Sequence, residues 1–128
     1  MSASLADWRP ATGRHSIRDV VVHAAYWKYA VRRRLTGDKR GSFARAGSNW
    51  FVTAGSGAWA ADVALLVDEH RKLRAAIAAL DGTALDRRVR GRDTAAFTIR
   101  GIAAHDLYHA GQIQLLKALH RRPARRAA

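Results

Sequence analysis

Apolar residues return along this chain at helical intervals. Ile17, Val20, Val21, Ala24, Trp27, Val31 and Leu35 share one face of a 3.6-residue period. Ser16-Ile17-Arg18-Asp19 ahead of that face has the form of a capping box, with a serine to hold the first turn and an acidic residue at the third helical position. Thr36-Gly37 closes it with a residue tolerant of the left-handed conformation, so the pattern predicts a helix from 17 to about 35. A second stripe, Trp59, Val63, Leu66, His70, Leu73, Ile77 and Leu80, steps by fours and threes, as the seam of a bundle helix does. That helix is expected to start near Ser56 and to stop at Asp81-Gly82. A third stripe runs through Ile99, Ile102, Asp106, His109, Ile113 and Leu116; Thr94 opens its helix, which continues through Lys117 and frays before Pro123.

The segments between these stripes are of a different kind. Residues 1–15 contain Pro10 and Gly13 and read as an extended lead-in, with Trp8 packing on the body. Gly41 to Gly57 is a long loop rich in glycine, serine and asparagine, pinned by Phe43, Trp50 and Phe51; ordered loops of that length often border a site. A basic linker covers Leu85 to Asp93. No run alternates apolar and polar residues, so no strand is expected, and a fourth long helix is not visible. The fold class predicted is all-α, an up-and-down helical bundle with three long helices, as a single domain over 1–128 with a basic tail at 120–128.

Composition narrows the chemistry. With 48% apolar and 26% charged residues, the chain has the profile of a globular domain rather than a disordered one. It has no cysteine, so disulfides, thiolate ligands and a cysteine nucleophile are excluded, and a transition metal would have to be held by histidine and oxygen. The most apolar segment, Ala58 to Val67, is interrupted by Asp62 and is too short for a bilayer; with no signal peptide visible, no membrane partner and cytoplasmic residence are expected. The net charge of +13 would attract phosphate backbones non-specifically. Its arginines are spread over every segment, however, so no specific nucleic-acid partner is expected.

Six histidines occur, at 15, 23, 70, 105, 109 and 120. His105 and His109, four apart on the last predicted helix, lie one turn apart on one face, the spacing with which two imidazoles hold one ion. Two core histidines satisfied by their neighbours would show the same spacing. His23, on the shoulder of the first long helix, and His70, on the seam of the second, are both candidates for a third partner, and periodicity does not choose between them. Asp106 and Gln112 share the inner side of the last helix and are candidates for proton transfer or substrate positioning. Asp19, one turn before His23, is placed to orient that ring or to serve the capping box alone.

The stretch His15-Ser16-Ile17-Arg18-Asp19-Val20-Val21-Val22-His23-Ala24-Ala25-Tyr26-Trp27-Lys28, followed by Leu35-Thr36-Gly37, resembles the second helix of the DinB/YfiT-like family, and Ala104-His105-Asp106-Leu107-Tyr108-His109-Ala110-Gly111-Gln112-Ile113 resembles its last. The resemblance covers about Trp8 to Leu119. It implies a four-helix bundle whose divalent metal, whether zinc, nickel, iron or manganese, is held by His23, His105 and His109, and it gives His70 a structural role. It also implies a metal-dependent hydrolase or a thiol-dependent transferase acting on an unidentified small molecule. Three neutral imidazoles leave an ion its charge and at least one open position, the arrangement of a catalytic site. The alternatives are a non-enzymatic bundle with structural histidines, or a basic nucleic-acid-associated protein. The family begins with a full helix ahead of the motif at His15, where this chain has only Met1 to Arg14. An apolar groove left uncovered by that difference predicts a homodimer, or a coding start placed too late.

Overall fold

The computed structural model describes residues 1–53 and 57–122. It is mostly helical: α1 (Ala3–Asp7), α2 (Ile17–Thr36), α3 (Trp59–Ala78) and α4 (Ala95–His120), with a two-stranded hairpin, β1 (Arg88–Arg90) and β2 (Asp93–Thr94), before α4. The start expected near Ser56 and the tail from Pro123 onward lie outside the described residues; the first described helical residue of α3 is Trp59.

The ends of α2 follow from local chemistry. Ser16 Oγ accepts from Asp19 N–H at 3.1 Å, and the Asp19 carboxylate accepts from Ser16 N–H at 2.9 Å, so the box is closed in both directions. Gly37 sits at φ 76° and donates its N–H to Arg33 O at 2.8 Å, a left-handed cap at which a β-carbon would be strained. Thr94 caps α4 by accepting from Phe97 N–H at 3.1 Å.

α2 is the axis of the structure. It packs along both α3 and α4, whereas α3 and α4 scarcely touch each other. The long connection after Gly37 returns the chain to the start of α2, where Arg18 donates to Gly57 O at 2.9 Å. As a result α3 runs in the same direction as α2, and α4 runs against both. One apolar cluster, at the end of α2, joins Val31 and Leu35 to Leu73, Ala95 and Ile102. Another, at its start, joins Ile17 and Val21 to Leu116, Trp59 and Ile113, and here Leu5 and Trp8 close the end of the body. Residues 1–15 are therefore not wholly extended: Ser2 caps the five-residue α1, and one turn of helix suffices to place Leu5 on that cluster.

The connection 38–53 is held to the far side of α2 by aromatic rings. Phe43 and Phe51 pack on Tyr26, with ring centroids 5.5 and 5.6 Å away. The Tyr29 hydroxyl accepts the backbone N–H groups of Gly41 and Ser42.

Two further expectations are corrected. The basic linker holds a small antiparallel hairpin, turning at Gly91-Arg92, because Arg88 pairs with Thr94 and Arg90 with Asp93. A pair this short has no room for the alternation that marks a strand. On α3, the stripe read as a seam is half open: Val63 and His70 are exposed, and the buried residues are Asp62, Glu69 and Leu73. The cause is that α3 packs mainly on α2, and charged pairs line that face. Asp62 accepts from Arg45 at 2.7 Å and lies 3.6 Å from Arg18, and Glu69 accepts from Arg32 at 3.2 Å. The other side of α3 borders a groove of about 380 Å³, floored by Val20, Val21 and Ala24 of α2 and walled by Val67 and Ala110.

Candidate metal centre

Three histidines meet between α2 and α4. His23, near the middle of α2, is buried, as is His109; His105, one turn before His109 on α4, is half-buried. His105 Nε2 lies 3.1 Å from His23 Nε2 and 3.0 Å from His109 Nε2, and one ligand atom from each of the three falls within 4.8 Å of the others. Nitrogens bonded to one ion at about 2.1 Å stand roughly 3.0–3.4 Å apart, and both close separations fall within that range.

The outer ring nitrogens decide what the inner ones can do. His23 Nδ1 lies 2.9 Å from the backbone oxygen of Asn49, and His109 Nδ1 lies 2.8 Å from Gln112 Oε1. Both partners are acceptors, so each Nδ1 carries the proton and each Nε2 presents a lone pair inward. His105 can donate one Nε2 proton toward these two lone pairs, which leaves the centre short of positive charge or protons. A divalent cation supplies what is missing, and an imidazole held through its outer N–H by a carbonyl is the usual form of a metal-ligating histidine. The buried Nδ1 of His105 has no hydrogen-bond partner among the described residues. Burial, reinforced by His109 and His23, holds the His105 pKa down to about 4; burial also lowers that of His23, with the Asn49 contact opposing. Neutral rings are the form in which imidazole binds metal.

The connection 38–53 supplies the rest of the surroundings. Asn49 has φ 62°, a conformation open to asparagine more than to most residues, and this turns its carbonyl onto His23 while its Oδ1 accepts from Trp27 Nε1 at 2.9 Å. The next residue, Trp50, stacks on His23 with centroids 3.8 Å apart and planes 10° apart, and on its other face stacks on His15 at 3.6 Å. Trp27 meets His23 and His105 edge-on at 6.4 and 6.3 Å.

The remaining candidates fall as follows. Gln112 contacts the centre through His109. The Asp106 carboxylate accepts from Lys28 Nζ at 2.5 Å, a lysine side chain only 5% exposed. Asp19 makes no bond to His23: it takes the Ser16 N–H, Thr53 Oγ1 and the Arg9 guanidinium. Burial pushes its pKa up, and these donors outweigh that and hold it below the ordinary carboxylate value. His70 is exposed and lines the groove rather than the histidine cluster. Sequence reasoning did not find Asn49 or Arg9. The only signal for Asn49 was an asparagine between serine and tryptophan in the long loop, a residue type that tolerates left-handed backbone.

A helical body with histidines of two antiparallel helices converging beside a covering loop defines a class, a bundle able to hold an ion within its core. A family model described as the DinB superfamily matches residues 1–113, and the chain belongs to that family. No curated protein and no solved structure matches it. Among the described residues, no helix is long and apolar enough to cross a membrane.

Proposed function

We propose that the protein is a metal-dependent enzyme acting on a small molecule, with His23, His105 and His109 holding one divalent cation, whether zinc, nickel, iron or manganese. The observation that carries this reading is the pair of lone pairs turned inward: Asn49 and Gln112 fix the proton on the outer nitrogens of His23 and His109, and the inner nitrogens meet His105 at 3.1 and 3.0 Å. A divalent ion bound there supplies Lewis acidity, which serves hydrolysis of an amide or ester or activation of a thiol for transfer. Every other part belongs to the chain itself. Asn49 and Gln112 orient two of the rings, and Trp50 shields His23 from water across its full face. Asp106 holds Lys28, which speaks for a structural carboxylate rather than a proton carrier.

Two further elements belong to the same proposal. The reaction takes place in the cytoplasm, and the groove between α3 and α4 is covered by a second copy of the chain. The exposed Val63 and Val67 on α3 support a homodimer. The functional reading is tested by screening the metal-loaded protein against ester, amide and thiol-acceptor panels. Turnover that disappears on chelation and returns with one metal supports it. A loaded protein inert toward all three panels favours a bundle whose metal only stabilises the fold.

A further inference from the structure

A second feature lies against the same centre, and it is cationic. Arg34, on α2, is half-buried and makes no hydrogen bond or ion pair with any described residue. The other arginines of comparable burial are all engaged: Arg18 and Arg45 on Asp62, Arg32 on Glu69 and Arg33 on the carbonyl of Asp38. Arg34 instead lies over the Trp27 ring, its guanidinium carbon 5.5 Å from the centroid. A half-buried guanidinium held over an aromatic ring and bonded to no acceptor among the described residues has its planar fork open to an anion.

The cavities place that anion. Arg34 and Trp27 together line a small cavity of about 170 Å³ whose wall includes His105 and Phe97 and also the Asp93 carboxylate. The same two residues line a wider cavity of about 320 Å³, which Arg33, Arg40 and Arg90 also line and no carboxylate does. The two cavities therefore share Trp27 and Arg34. The smaller reaches His105, and the larger, lined by guanidinium groups and no carboxylate, is the side suited to an anion. Burial and the neighbouring Arg90 both lower the Arg34 pKa, and the Asp93 carboxylate opposes them without reversing the shift.

We infer that the Trp27–Arg34 cavity is the anion-binding end of the candidate metal site, and that the substrate is a small molecule with a carboxylate or phosphate on Arg34 and a flat apolar body along Trp27, its reacting group reaching the histidines. This rests on the functional reading above and narrows it. Arg34 grips the anion with its planar fork, Arg90 adds charge, and Trp27 and Phe97 cover the apolar body. Neutral esters and amides without an acidic group are then poor substrates.

The test titrates chelator-stripped protein with phenyl phosphate, benzoate and, as a neutral match, benzyl alcohol, following binding by calorimetry. Saturable binding of at least one of the two anions, absent for benzyl alcohol and weakened at least tenfold in Arg34→Gln, is expected. The exposed Arg74→Gln variant should bind as the parent does. Equal binding by the parent and Arg34→Gln, or equal losses in both variants, would overturn the inference, since overall charge would then account for the binding. A second arm adds cobalt(II) and reads its visible bands. Bands that shift when the bound anion is added to the parent, but not to Arg34→Gln, tie the cavity to the centre. Cobalt bands unmoved by a bound anion would refute the shared site. If the histidines bind no cobalt at all, the metal reading fails by itself, and Arg34-dependent binding in stripped protein still upholds the anion cavity.

Discussion

Replacing Asp106 with leucine distinguishes a carboxylate that holds the fold from one that moves protons. Its partner Lys28 has a side chain 5% exposed, while that of Asp106 is 38% exposed, and the two meet at 2.5 Å. Breaking a fully buried ion pair by removing one partner costs about 3–5 kcal/mol, because the other charge is left desolvated. Here water already reaches the carboxylate, so the cost is discounted to about 2–3 kcal/mol. With a urea dependence of roughly 1.5 kcal/mol per molar for a chain of this size, that corresponds to a fall in the unfolding midpoint of about 1.3–2 M. The assay is urea unfolding followed by circular dichroism on metal-free protein at pH 7. The double variant Lys28→Met with Asp106→Leu should recover at least half of the loss, since neither charge is then stranded. A single variant within about 0.5 kcal/mol of the parent would refute the reasoning. So would a double variant no better than the single.

Three other outcomes follow from the same geometry. Burial and the neighbouring histidines hold His105 at about 4 against an ordinary value of 6.5, so the unfolded chain takes up the proton first. In metal-free protein, stability should be full above about pH 6.5 and fall as the pH drops toward 4, by about 1–2 kcal/mol after allowance for partial solvent access; urea midpoints at pH 7.5, 6 and 5 that do not move would contradict this. Gln112→Leu removes the acceptor at 2.8 Å from His109 Nδ1 and should weaken metal affinity about 10- to 100-fold in competition with a chromogenic chelator, with helical content unchanged. Val67, 62% exposed on the groove wall, should tolerate glutamate in the monomer, so Val67→Glu should turn a dimer into a monomer by light scattering at micromolar concentration; a parent that is itself monomeric there removes the dimer from the account.

Much of this was legible in the sequence because it is local. The apolar period gave three long helices, Ser16 and Asp19 close the box their types suggested, and Gly37 and Thr94 end and begin helices where expected. The i, i+4 spacing of His105 and His109 needs only one turn of helix to bring the rings together, and the rings do meet. What was not legible depends on which elements face each other. Periodicity placed His70 on a seam without telling whether a helix lies opposite, and between α3 and α4 none does among the described residues. The second contact of His23 comes from Asn49, 26 positions on, through a backbone oxygen that carries no side-chain signature. Likewise, Arg18 and Lys28 look like surface residues until Asp62 and Asp106 are found beside them. Buried charge is decided by its partner, and sequence spacing does not name partners separated by 44 or 78 positions.

The central claim is that His23, from α2, and His105 and His109, from α4, share one ion, and it is tested most directly by the metal content of protein dialysed against a divalent mixture and measured by plasma mass spectrometry. The account predicts about one equivalent per chain in the parent and less than about a tenth of that in each of His23→Ala, His105→Ala and His109→Ala, with helical circular dichroism retained. A parent that takes up no metal, or a His23→Ala variant that keeps its full equivalent, would contradict it.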